Sequence, residues 1–368
     1  MPDAPLHIKS LTLDELGARL TALGQPAYRA KQVMQWLYAK RAPSFAAMSD
    51  LPAALRTQLA AEFAFDDLQP VRTLGSKDTT LKYLFQLADG ALIESVLIPA
   101  SPALYGEASD RRTLCVSTQV GCAYGCKFCA SGLDGWSRNL TAAEIVGQVL
   151  RVEELSRERI NNIVFMGMGE PLANFAHLMR AIGIINAPWG VGLGARHITL
   201  STSGLAPQIR ELAEQPLQVR LAISLHGATD EVRSQIMPVN RKYPLAVLLE
   251  ACAFYTQRKK QWLTFEYILI AGINDRPEDA AALVRVARKV KAKINCIPYN
   301  QVEGLEWQRP SNARQDAFMA VLTAARIPAT LRREKGHDIA AACGQLRRQT
   351  LPPPATPATP ATPATPAC

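Results

Sequence analysis

The chain has 368 residues, with 41 Lys plus Arg against 32 Asp plus Glu, a net charge of +9. Apolar residues make up 48% and charged residues 20%, which excludes a wholly disordered chain and allows one large core or a few smaller ones. The positive balance makes a polyanion the first partner to consider. Met1 to Ser10 lacks the apolar stretch of an export signal, and no apolar run approaches the roughly 18–20 residues of a membrane span. A cytoplasmic protein without a membrane partner is expected.

Residues 1–67 are expected to form a small helical unit. Ser10 to Leu23 sets Leu11, Leu13, Leu16 and Leu20 on roughly one face. Tyr28 to Tyr38 carries Val33, Met34, Trp36 and Leu37, and Leu51 to Phe63 is a third amphipathic stretch. A basic helical unit of this kind is either an RNA-binding accessory domain or a cap on a larger domain. Residues 68–112 read as a β-hairpin and linker loop. Lys82 to Leu87 and Ala91 to Ile98 are β-rich and flank Asp89-Gly90, a hairpin signal. Glu94 falls inside the second run, where the residues alone suggest a solvent-facing position.

Residues 113–350 alternate between two patterns. Short β-branched runs occupy 113–119, 161–166, 196–201, 218–225, 262–269 and 293–298. Helical patterns lie between them at 141–158, 172–186, 204–214, 243–258 and 277–290, the first opened by a capping box from Thr141 to Glu144. This rhythm predicts an α/β fold with a parallel sheet, open or closed into a barrel. Chemistry then belongs at the C-terminal ends of the strands. Residues 351–368 repeat an Ala-Thr-Pro unit and are expected to be a disordered, polyproline-like tail.

Of the eight cysteines, Cys122, Cys126 and Cys129 are spaced C-x3-C-x2-C directly after the first of these strands. Three thiolates on one tight loop are metal ligands rather than packing residues. A structural zinc normally takes four protein ligands, and Cys115, the nearest other cysteine, lies inside the preceding strand. A four-iron, four-sulfur cluster also normally takes four cysteines. With three, one iron keeps an open site where a small molecule can bind.

The C-x3-C-x-Φ-C pattern, with Phe128 as Φ, resembles the signature of the radical S-adenosylmethionine enzymes. That resemblance implies a 4Fe–4S cluster on the three cysteines and a partial (β/α)6 TIM-like barrel, carrying the helical unit and hairpin as extensions. A narrower resemblance covers nearly all of residues 5–349. Thr113 to Cys122, Met166-Gly167-Met168-Gly169-Glu170-Pro171, Ser201-Thr202-Ser203-Gly204, Ser224-Leu225-His226, Pro298-Tyr299-Asn300 and Ala342-Cys343-Gly344-Gln345-Leu346 are similar to the RlmN-type adenine carbon-2 methyltransferases. These act on 23S rRNA and tRNA. The resemblance implies adenosylmethionine contacts at Gly169, Glu170, Ser201, Ser224, Leu225, His226 and Asn300. It implies two adenosylmethionine molecules per turnover, one methylating Cys343 and one supplying a radical that activates the S-methyl group. Cys115 is implied to resolve the protein–RNA adduct through a transient disulfide with Cys343. Glu94, in Ile93 to Pro99, is implied to accept the ring proton, which overrides its solvent-facing reading. A low-potential donor such as flavodoxin or ferredoxin and a monomeric state are expected with it.

The stretch from Ala100 to Arg112 is longer than the family's usual connection and is expected to be a surface loop. Cys252 and Cys296 read as core. Gly190-Val191-Gly192-Leu193-Gly194 hints at a Rossmann-type loop but precedes a predicted strand instead of following one. Basic clusters at Arg111-Arg112, Arg258 to Lys260, Arg285 to Lys293, Arg332-Arg333 and Arg347-Arg348 are candidates for phosphate contacts. Two alternatives stay open: Cfr-type methylation of carbon 8, and a zinc-stabilised RNA-binding module.

Overall fold

The computed structural model describes residues 6–65, 68–99, 110–133, 135–300, 305–332 and 344–350. Cys343, most of the expected surface loop and the Ala-Thr-Pro tail lie outside the described residues.

The N-terminal unit is helical. Helix α1 (Leu13–Ala22) starts where Thr12 and Glu15 cap each other's backbone N–H groups, and it buries Leu16 and Leu20. Helix α2 (Tyr28–Met34) continues into a wider turn over Gln35–Ala39, closed by the Lys40 N–H on the Gln35 carbonyl. Helix α3 (Ala53–Glu62) buries Leu55 and Leu59. The Ala143 N–H donates to Ser10 Oγ, Arg180 donates to the Ser10 carbonyl, and Arg41 pairs with Glu153, so the unit is tied to the larger domain.

Strands β1 (Gln69–Gly75), β2 (Leu81–Gln86) and β3 (Leu92–Pro99) form an antiparallel meander. The β2–β3 turn is the expected one: Gly90 takes φ +83° and the Asp89 carboxylate accepts the Ala91 N–H. Strand β1 was not visible in the apolar pattern, because it is an exposed edge that tolerates Pro70.

The expected strand over 113–119 is broken in two. Strand β4 (Arg112–Cys115) stays in the main sheet, while β5 (Gln119–Gly121) turns away to pair with β6 (Trp136–Asn139). The break is polar and buried. Gln148 Oε1 accepts the Ser117 N–H at 2.8 Å and the Ser95 hydroxyl at 2.9 Å, and its Nε2 donates to the Ser117 carbonyl. One side chain thus replaces the ladder where the backbone leaves it. The rest alternates: α4 (Ala142–Ser156), β7 (Asn162–Phe165), α5 (Phe175–Asn186), β8 (Ile198–Thr202), α6 (Ala206–Glu214), β9 (Arg220–Ser224), α7 (Asp230–Ile236), α8 (Leu245–Lys259), β10 (Leu263–Leu269), α9 (Pro277–Val290), β11 (Ala292–Pro298), α10 (Asn312–Ala324), β12 (Ala329–Leu331) and α11 (Gln345–Thr350).

One sheet of ten strands runs β1-β2-β3-β4-β7-β8-β9-β10-β11-β12. It is parallel from β4 onward and antiparallel before it. The six expected parallel strands are present, β12 extends them, and β12 does not close onto β4 among the described residues. The result is the expected partial barrel. Helices α7, α10 and α11 and strands β6 and β12 were absent from the sequence reading. Cys252 and Cys296 are buried in the core as expected. Gly190 to Gly194 precedes β8, the wrong side of a strand for a nucleotide loop. Among the described residues no helix is long and apolar enough to cross a membrane.

Replacing Gln148 by Ala strands the Ser117 backbone pair and the Ser95 hydroxyl in the interior. Urea unfolding of Gln148→Ala is expected to show a loss of about 1–3 kcal/mol; an unchanged midpoint would mean that the strand break needs no such bridge.

Candidate active site

The C-terminal ends of the parallel strands surround a cavity of about 300 Å³. Cys122, Cys126 and Cys129 form one wall of it. Their loop leaves β5 through Gly121 at φ +75°, where a Cβ would stand 2.0 Å from the Gly135 carbonyl oxygen, so only glycine fits. The Cys122 N–H donates to that same oxygen at 2.9 Å, and the Lys127 N–H donates to the Ile236 carbonyl at 3.0 Å. Burial pushes the Cys122 thiol up to about 12 and the Cys126 thiol well above its usual range, with repulsion between the cysteine sulfurs adding to both. Three thiolates coexist here only around positive metal. Among the described residues no three Cys, His, Asp or Glu side chains are arranged to hold one metal ion, which is the arrangement a zinc module needs. The soft, three-sulfur donor set, facing the cavity, fits a cluster.

Gly169, Glu170, Ser201, Ser224, His226 and Asn300 also line the cavity, so six of the seven expected cofactor residues meet on one rim. Leu225 does not. Its side chain is fully buried in the core and only its backbone is near, with its N–H on the Glu266 carbonyl. Gly169 takes φ +99° and a Cβ there would lie 2.5 Å from Gln119 Cβ. Glu170 is buried, and burial raises it above the usual carboxylate range. Its Oε2 accepts the Ser203 N–H at 2.7 Å and its Oε1 the Leu172 N–H at 3.0 Å.

His226 sits at φ +57° with its ring edge-on to Phe128. Its Nδ1 accepts the Ile268 N–H at 3.1 Å, which leaves the proton on Nε2. Burial first, and then the charge of Arg233, push the imidazole down to about 3.

Glu94 and Cys115 are buried away from the cavity wall. Glu94 is held by Lys82, whose Nζ is 3.0 Å from Oε2, both side chains being almost fully buried. Its Oε2 also accepts the Gly344 N–H at 2.7 Å and its Oε1 the Arg347 N–H at 2.6 Å. The glutamate therefore grips the chain directly after Cys343. Cys115 pairs across the sheet with Val96, two residues from Glu94. No described cysteine is joined to another described cysteine, so the expected disulfide has no counterpart among them.

Three of the buried charged groups that escaped the sequence reading bear on the site. Glu266 lines the cavity, accepts from Asn295 at 2.7 Å, and is raised by burial. A lone acid between Phe265 and Tyr267 in a strand was the available signal, the same one that marks Glu94. Lys82 looked like an ordinary strand lysine. Arg233 sits in a stretch with Asp230 and Glu231 and carried no signal at all.

Residues 116–284 match the family model described as "Radical SAM superfamily", and residues 6–64 match "Ribosomal RNA large subunit methyltransferase N-terminal domain". The chain is 55% identical over 347 residues to a protein of Akkermansia muciniphila named "Probable dual-specificity RNA methyltransferase RlmN", spanning 94% of this chain and 96% of that one. It is 47% identical over 344 residues to the "Dual-specificity RNA methyltransferase RlmN" of Syntrophobacter fumaroxidans, spanning 93% and 98%. A crystal structure of a radical SAM methyltransferase from Sphaerobacter thermophilus superposes with a TM-score of 0.87 at 45% identity, over 93% of this chain and 99% of that one.

The histidine geometry has a direct check. Nitrogen-detected NMR of the metal-free chain is expected to show His226 neutral, with the proton on Nε2, from pH 8 down to at least pH 5. The unfolded chain binds a proton near 6.5 and the native one only near 3, so His226 contributes a loss of stability as the pH falls through that window. An imidazolium signal at pH 5 would contradict the buried acceptor role.

Proposed function

Since the chain belongs to the RlmN family of radical S-adenosylmethionine RNA methyltransferases, we propose that it methylates carbon 2 of an adenosine in the peptidyl-transferase-centre region of 23S rRNA. The adenosine 3′ to the anticodon in a subset of tRNAs is the second substrate. The observation that carries this is identity over nearly the whole chain, covering both the helical unit and the barrel, together with the three-thiol loop facing the cavity. Carbon-8 methylation is not favoured, because the relatives belong to the RlmN branch. A non-enzymatic zinc module is set aside on the same membership.

Cys122, Cys126 and Cys129 hold the 4Fe–4S cluster, and Gly169, Glu170, Ser201, Ser224, His226 and Asn300, with the Leu225 backbone, hold adenosylmethionine. Bound there, these two groups supply an electron and a carbon-centred radical; two adenosylmethionine molecules serve each turnover. Glu170 receives the methionine ammonium, and the Nε2–H of His226 is a fixed neutral donor. Carbon 2 of adenine is not nucleophilic, so direct attack on a sulfonium methyl fails and the carbon must arrive tethered to a protein sulfur. We assign that sulfur to Cys343. Glu94 takes the proton from carbon 2, and Cys115 attacks the Cys343 sulfur to release the product, leaving a transient disulfide. What supports these roles is proximity. The Glu94 carboxylate binds the N–H of Gly344, one residue after Cys343, and Cys115 lies on the strand next to that of Glu94. Lys82 and two N–H donors hold the Glu94 carboxylate in place.

The helical unit, residues 1–67, is assigned to RNA docking, and the basic clusters to phosphate contacts with salt-sensitive binding. The target adenine must leave its stack to reach the cavity. We place the enzyme in the cytoplasm as a monomer fed by flavodoxin or ferredoxin.

The test is anaerobic reconstitution followed by methylation of 23S rRNA. Wild-type chain is expected to bind about four irons, cleave adenosylmethionine when reduced, and methylate the RNA. Cys343→Ala is expected to keep the iron and lose RNA methylation, while Cys115→Ala accumulates a covalent protein–RNA adduct. Methylated RNA from Cys343→Ala would refute the tethered-carbon route, and bound zinc without iron would refute the enzyme.

A further inference from the structure

Arg233, on α7, is fully buried. Its Nη1 donates to Asn240 Oδ1 at 2.7 Å and its Nη2 to the Ser203 carbonyl at 2.6 Å. Both acceptors are neutral. Its Nε is buried without a partner. Of the two carboxylates on its own helix, Asp230 and Glu231, the one that acts on it, Asp230, is engaged elsewhere: Oδ1 accepts from Asn240 Nδ2 and from the Leu245 N–H, each at 2.8 Å. Among the described residues no carboxylate forms an ion pair with this guanidinium. A buried cation of this kind is strongly disfavoured unless an anion meets it.

The surroundings show which anion. Ile236, the last residue of α7, accepts the Lys127 N–H of the cysteine loop at 3.0 Å. Nη2 lies where a Cβ on Gly204 would be 3.0 Å away, and the Arg233 backbone packs on Gly227 with the same hypothetical atom at 2.6 Å. The guanidinium is thus wedged between two rim turns, behind the loop that carries the thiols. Cys126 feels this charge, and among the charged groups that act back on the guanidinium Cys126 comes first, ahead of Cys252 and Asp230. Burial draws it down only to about 10, so it stays charged at neutral pH.

We propose that Arg233 is the built-in countercharge of the iron–sulfur centre, a positioning residue that acts through Cys126 to make the centre easier to reduce. The inference rests on the family reading above and deepens it. A cluster on three thiolates gains one more negative charge on reduction. A fixed cation beside one of its ligands, in a low-dielectric interior, stabilises the more negative state more strongly. Arginine suits the task because its planar fork holds both acceptors while its delocalised charge stays fixed.

The experiment is a redox titration of the reconstituted full chain, followed by electron paramagnetic resonance of the reduced cluster. Arg233→Gln removes the charge, and Arg233→Lys keeps it while breaking the planar clamp. Cys252→Asp sets a carboxylate beside the guanidinium and leaves both its hydrogen bonds in place, with Cys252→Ser as the neutral control. At equal iron content, Arg233→Gln and Cys252→Asp are expected to make reduction at least tenfold less favourable, a shift of about 59 mV to more negative potential for a one-electron couple. Arg233→Lys and Cys252→Ser are expected to stay near wild type. An unmoved potential in Arg233→Gln overturns the proposal, as does an equal shift in Arg233→Lys, which would mean that the clamp matters and not the charge. If Arg233→Gln does not fold, Cys252→Asp decides, and no shift there overturns it. A wild-type chain that takes up no iron sinks the family reading itself, whereas a loaded cluster with an indifferent potential sinks only the countercharge.

Discussion

The antiparallel pairing of β3 with β4 fixes where the chemistry can lie, because it makes the N-terminal hairpin part of the barrel sheet. Val96, Leu97, Ile98 and Pro99 pair with Cys115, Leu114, Thr113 and Arg112. Glu94 is thereby carried into the interior beside the first parallel strand. Directly after that pairing the chain leaves the sheet, and Gln148 satisfies the backbone it exposes. The departure sends β5 and the cysteine loop over the strand ends. One strand junction thus sets up two stations, which meet where Gly344 packs against Ser131, two residues past Cys129. The thiol loop and the cofactor rim face the cavity. Glu94, Cys115 and the chain after Cys343 gather at the barrel's edge.

Buried charge is the second organising constraint. Each station holds ionisable groups that an apolar interior penalises, and each has specific partners. Glu94 is matched by Lys82 and by two backbone N–H donors. Removing one member of such a pair leaves the other uncompensated, at a cost of about 3–5 kcal/mol. Glu170 is raised by burial yet held by two N–H donors. His226 is kept neutral by burial and by the same guanidinium that stands behind Cys126. The site is therefore electrically asymmetric: a cation behind the metal loop, a neutral imidazole on the rim, and a carboxylate clasped by Lys82 at the edge.

Much of this was legible in the residues. The C-x3-C-x2-C spacing marked the three-thiol loop that the fold sets on the cavity wall. The alternation of β-branched runs and helical patterns gave six parallel strands, and Asp89-Gly90 gave the hairpin. What stayed hidden depended on contacts distant in sequence. The break after Cys115 requires Gln148, more than thirty positions away, and nothing in Ser117-Thr118-Gln119 announces it. Lys82 and Arg233 look like surface cations, and only the fold reveals that both are buried. Leu225 stood in a motif flanked by two cavity residues, but its side chain turns into the core, as strand-end alternation dictates. Strand β1 has no apolar face to read because it lies at the sheet's edge.

The central claim is that this arrangement delivers one carbon to carbon 2 of an adenine. It is tested most directly by mass spectrometry of digested 23S rRNA and tRNA from cells that lack their own enzyme and express this chain. 2-Methyladenosine, absent without the chain, is the expected product. Finding 8-methyladenosine instead, or no methylated adenosine from a cluster-loaded enzyme, would contradict it.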